Sequence, residues 1–111
     1  MRTYSIDQLD EKDIAAITAR FTEMGLQAGL DGVFWLPMPP DMLSPVQKEH
    51  EERCGPYCMA LEVEPDSVHL ELLVRGMGRI ICDCVSFAAP ELRNHMFLYL
   101  EDVLTDLGIV F

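Results

Sequence analysis

The residues best suited to chemistry in this sequence are its four cysteines, Cys54, Cys58, Cys82 and Cys84, together with His50. His50, Cys54 and Cys58 follow one another at four-residue intervals, as His-x3-Cys-x3-Cys. On a helix, the i,i+4 spacing puts His50 and Cys54 on one face, where they can share an ion. Cys82 and Cys84 are two apart, so on a strand they too point to one face. Imidazole and thiolate together make the soft donor set of a zinc site. Dithiol redox chemistry fits less well. Cys54-Gly55-Pro56-Tyr57-Cys58 holds three residues between its cysteines where the redox motif has two. Its first cysteine also falls at a helix end, where the dipole opposes a thiolate.

Strand register decides whether these groups meet. A two-residue turn at Pro65-Asp66 sets Cys58 opposite Leu73, and a three-residue loop at Gly76-Met77-Gly78 then sets Cys82 opposite Leu72, on the other face from Cys58. A two-residue loop instead brings Cys58, Leu73 and Cys82 into one row. Zinc signatures usually show tighter paired knuckles than this spacing. The plainer expectation is therefore that Cys82 and Cys84 are small buried hydrophobes and that Cys54 and Cys58 flank a turn. A zinc site on His50, Cys54 and Cys58, joined by Cys82 and Cys84 if the register allows, is the alternative.

Other chemistries lack their residues. His69 and His95 stand among polar neighbours with nothing to mark a proton shuttle, and Glu49, Glu51 and Glu52 form a run typical of a solvated helix face. Serines 5, 44, 67 and 86 have no nucleophile-elbow context. Gly76-Met77-Gly78 lacks the further glycine and following helix of a phosphate loop. No catalytic motif is present, and the expectation leans away from an enzyme.

The elements that must position these residues follow from spacing and caps. Asp10 caps a helix to Met24 whose core face is Ile14, Ile17, Phe21 and Met24, with Gly25 as its stop. Asp31-Gly32 precedes a strand over Val33-Phe34-Trp35-Leu36, and a further strand over Leu26–Leu30 is left open. Ser44-Pro45-Val46-Gln47 opens a polar helix that runs to Arg53 or Cys54 and mostly faces water. Period-two alternation over Tyr57–Glu64 and Val68–Arg75, with Pro65-Asp66 between, predicts a hairpin, and Arg79–Phe87 a third strand. Pro90 starts a closing helix to Leu107, with Leu92, Met96, Tyr99, Leu100, Val103 and Leu107 on one face. The order α-β-α-β-β-β-α predicts an α+β fold: an antiparallel sheet built on a three-stranded meander, with helices packed on one face.

The chain has 111 residues, half of them hydrophobic, with 8 basic against 19 acidic residues and a formal charge of −11. That hydrophobicity excludes a disordered chain, and the length suits a single compact domain over 1–111. A polyanion repels phosphate backbones and anionic lipid, so neither nucleic acid nor membrane is an expected partner. The first residues show no apolar run of a secretory signal, and no stretch reaches the length of a membrane span, so a cytoplasmic protein with reduced thiols is expected. Trp35, Phe97, Leu98 and Leu104 exceed what one face of a small sheet needs to cover it. The leading functional expectation is therefore a small acidic protein-binding or chaperone-like module that acts through that apolar sheet and helix surface, as a homodimer or on another protein. The rivals are the thiol-based metal or redox protein and a small-molecule pocket between the last helix and the sheet.

Overall fold

A computed structural model describes residues 1–78 and 82–111. The elements run β1 (Thr3–Ile6), α1 (Glu11–Glu23), β2 (Val33–Pro37), a 3-10 turn (Pro40–Met42), α2 (Pro45–Cys54), β3 (Tyr57–Val63), β4 (Val68–Glu71), β5 (Leu73–Gly76), β6 (Ser86–Phe87) and α3 (Pro90–Asp106). This is the expected α+β order with a strand added at the start and the expected Val68–Arg75 strand divided at Leu72 into β4 and β5. Both early helices begin at reciprocal capping boxes. The Asp10 side chain accepts from the Asp13 N–H while the Asp10 N–H donates to the Asp13 carboxylate, and Ser44 and Gln47 do the same for α2. Gly25, at φ +75°, ends α1 in a conformation that costs a residue with a Cβ. Leu26–Leu30 forms no strand; its one ladder contact is a bridge from Gln27 to Phe34.

All strand pairs are antiparallel. β3 is central, with β2 on one side and β4 followed by β5 on the other. Near the Pro65-Asp66 turn the register is the expected one, with Val63 opposite Val68 and Leu61 opposite Leu70. It then shifts by two residues, so that Cys58 faces Arg75 rather than Leu73. The cause is a bulge at Leu72, which turns both backbone groups away from β3: its N–H donates to the Arg2 carbonyl and its carbonyl accepts from the Ala88 N–H. β1 and β6 therefore lie end to end along the outer side of the bulged strand.

The expected third strand over Arg79–Phe87 is corrected by this arrangement. Residues 79–81 lie outside the described residues, Cys82–Val85 is a turn closed by Val85 N–H to the Cys82 carbonyl at 3.2 Å, and only Ser86–Phe87 pairs with β5. Asp83 is the physical reason, since aspartate is depleted from strands and favoured in turns.

The helices cover one sheet face. Phe34, Leu36, Met59, Leu61, Val68 and Leu70 share that face and are buried. The Phe21 ring of α1 meets Phe34 at 5.8 Å, and Phe97 of α3 meets Tyr4 at 4.3 Å. α3 contributes Leu92, Met96, Leu100 and Leu104 to the same core. The opposite face carries Trp35, Ala60, Glu62, His69, Glu71, Leu73 and Arg75, all partly or fully exposed, with Arg75 paired to Glu71 at 3.0 Å. Among the described residues, no helix is long and apolar enough to cross a membrane.

The core's phenols give a measurable signature. Burial, then the hydrogen bond it donates to Glu101, pushes Tyr4 up to about 12; burial also raises Tyr57 and Tyr99. Unfolded phenols ionise near pH 10. The folded state therefore holds these protons more tightly than the unfolded chain, and the stability involved is complete below about pH 10 and lost as pH rises through about 12. Tyrosinate absorbance should rise well above pH 10 in the folded protein and near pH 10 in denaturant; coincident curves would refute this.

Candidate metal centre

The polar helix α2 does not simply face water. Gln47, His50 and Cys54 recur at helical spacing, and this stripe docks against the 82–86 segment. Gln47 is buried and uses its whole carboxamide. Its Oε1 accepts from the Ser44 N–H at 3.0 Å, and its Nε2 donates to the Cys84 carbonyl at 3.1 Å. One side chain thus caps the helix and fixes the turn.

The other end of α2 is held by close backbone contact. Gly78 N–H donates to the Cys54 carbonyl and Met77 N–H to the Pro56 carbonyl, both at 2.9 Å. A Cβ at Gly76 would lie 2.6 Å from the Cys54 carbonyl oxygen, and one at Gly78 would lie 2.7 Å from that of Arg53. Only glycine lets the strand end approach the helix end so closely.

Between these two anchors, His50, Cys54, Cys82 and Cys84 converge, with one ligand atom from each lying within 4.8 Å of all the others. His50 Nδ1 stands 3.2 Å from Cys82 Sγ. Cys54 and Cys84 are each 1% exposed, while His50 and Cys82 are half-buried and form the outer edge. Around a tetrahedral zinc with bonds of about 2.3 Å, neighbouring sulfurs sit about 3.8 Å apart. Closing on an ion therefore asks the widest pair to approach by about 1 Å, which side-chain rotation supplies.

The electrostatics are uneven across the cluster. Burial, then its contacts with Cys82 and Cys84, pushes the Cys54 thiol up to about 11. At Cys84, burial also works against the thiolate, but the neighbouring Tyr57, Cys82 and Cys54 side chains outweigh it and lower the value. Cys54 also ends α2, where the helix dipole disfavours an anion and favours a cation. Tyr57 is 3% exposed, and among the described residues its buried hydroxyl has no hydrogen-bond partner of proper geometry.

Of the triad His50, Cys54 and Cys58, the structure brings together the first two and sets Cys58 apart. Cys58 lies on β3 opposite Pro37 and Arg75, in the floor of a shallow apolar hollow shared with Trp35 and Met77. Cys82 and Cys84 take its place, because the Cys82–Val85 turn aims them at α2. Gln47, read from sequence only as part of the helix start, and Tyr57 were not expected at the site; the recurrence of Gln47, His50 and Cys54 along one helix face was the available signal for the first.

The apolar residues Trp35, Phe97, Leu98 and Leu104 do not form one surface. Trp35 is on the uncovered sheet face, Phe97 lies against Tyr4, Leu98 is 61% exposed on the outside of α3, and Leu104 is 0% exposed in the core. A cavity of about 350 Å³ opens where the starts of α2 and α3 meet β5 and β6. Comparison with family models, curated proteins and solved structures finds no match.

Proposed function

We propose that the chain is a metal-binding protein in which His50, Cys54, Cys82 and Cys84 hold one zinc ion. The observation that carries this reading is the convergence of three sulfurs and an imidazole from two distant segments within 4.8 Å. Three thiolates and one histidine nitrogen suit zinc's tetrahedral preference and its affinity for soft donors. Four protein ligands leave no open position for a substrate, so the site is structural: the ion staples α2 to the turn between β5 and β6. A cation there also meets the negative end of the α2 dipole.

The rival readings have less support. A dithiol redox centre gives no role to His50, and burial holds the Cys54 thiol in its unreactive form. The protein-binding or homodimer surface of sheet and last helix loses Leu104 to the core and splits Trp35, on the uncovered sheet face, from Leu98 on the outside of α3. In the 350 Å³ cavity, the buried polar side chain, Gln47, already has its partners.

Elemental analysis of protein purified without added metal should find one zinc per chain, and cobalt substitution should give intense sulfur-to-metal charge-transfer absorption. Absence of both metal and cobalt bands would sink the proposal.

A further inference from the structure

The Tyr57 hydroxyl has no role in the fold that its surroundings explain. Tyr57 opens β3 just after Cys54, on the core-facing side opposite Gly76, and its ring is fully enclosed. A buried hydroxyl normally finds a partner, and among the described residues this one has none of proper geometry. Its hydroxyl and the Cys84 side chain lie close enough to influence one another. A neutral thiol is a weak acceptor, whereas a thiolate is a strong one. Three thiolates around a divalent ion leave the centre with one net negative charge, and most of that charge rests on sulfurs shielded from water. Such a centre needs a donor from the protein. The Cys84 carbonyl is already held by Gln47.

We infer that Tyr57 is a positioning residue of the metal centre, its hydroxyl donating a hydrogen bond to Cys84 Sγ when that sulfur is a zinc-bound thiolate. This rests on the zinc reading and assigns the centre a fifth residue from a third element. The expected consequence has opposite signs in the two forms of the protein. Without zinc, Tyr57→Phe removes an unpartnered buried hydroxyl and keeps the ring, so the melting temperature should hold or rise. With zinc, the same change removes the donor to a ligand, and affinity should fall about 10- to 100-fold, as is usual for outer hydrogen-bond partners of metal ligands.

The test is zinc affinity, measured by competition with a chelator, together with the melting temperatures of the zinc-free and zinc-loaded forms, for the unaltered chain and Tyr57→Phe. A rise or no change without zinc, with weaker binding, supports the inference. Equal zinc affinity overturns it, as does an equal loss of stability in both forms, which marks a purely structural tyrosine. An unaltered chain that binds no zinc defeats the zinc reading first and this inference with it. Should the variant not fold, the hydroxyl proton of Tyr57 in the unaltered chain decides by NMR. Zinc should shift it downfield and slow its exchange; a proton indifferent to zinc overturns the inference.

Discussion

Stripping the proposed zinc ion with a chelator should lower the melting temperature by about 15 °C or more. A ligand that binds only the folded state stabilises by about 4 kcal/mol when its free concentration is a thousandfold above Kd. In a domain near this size each kcal/mol corresponds to about 4 °C or more. The loss should be largest in α2. That helix buries only Gln47 and Cys54, so little apolar surface holds it down once the ion has gone. Cys84→Ser should reproduce the effect in the presence of zinc, because it removes a proposed ligand that is wholly buried. Calorimetry with and without chelator checks both statements. A melting temperature indifferent to chelation would show that the cluster packs as plain thiols.

Leu104→Ala should destabilise the protein by about 2–5 kcal/mol, while Leu98→Ala, on the same helix, should change stability by no more than about 0.5 kcal/mol. Leu104 belongs to the largest fully buried side chains, in one core with Leu100, Met96 and Phe21, so truncation leaves a cavity that close-packed neighbours cannot refill. Leu98 projects outward and is mostly exposed. The contrast, read from denaturant unfolding of the two variants, also separates core from surface among the apolar residues whose abundance first suggested an interface. Comparable losses at both positions would mean that Leu98 is covered in solution by another surface.

Element boundaries were legible wherever a local device marks them. Asp10, Ser44-Pro45 with Gln47, and Pro90 start the three helices, and Gly25 ends the first. The strand β1 was hidden because its pairing to β4 depends on a partner far along the chain. The bulge at Leu72 left no trace in the alternation, since a shift of two residues keeps every side chain on its own face. The site was half legible. His50 and Cys54 are linked by helical spacing, a local relation, whereas Cys82 and Cys84 join them only through a turn and a tertiary contact. In sequence, Cys82-Asp83-Cys84-Val85 reads as part of an apolar strand with one aspartate in it, and that aspartate makes the turn.

The end-to-end placement of β1 and β6 along one side of the bulged strand bears on the order of folding. The β3–β4 hairpin closes through a two-residue turn and can form early, because little chain entropy opposes it. β1 must wait for that hairpin, since among the described residues its one partner strand is β4, and docking it closes a loop that includes α1, β2 and α2. Loops that long are costly to close and slow to form. The row opposite β3 is thus completed from two remote parts of the chain that meet at one peptide, Leu72, whose N–H and carbonyl bond to Arg2 and Ala88. Chain entropy makes that junction a late event in folding, and its loss an early one in unfolding.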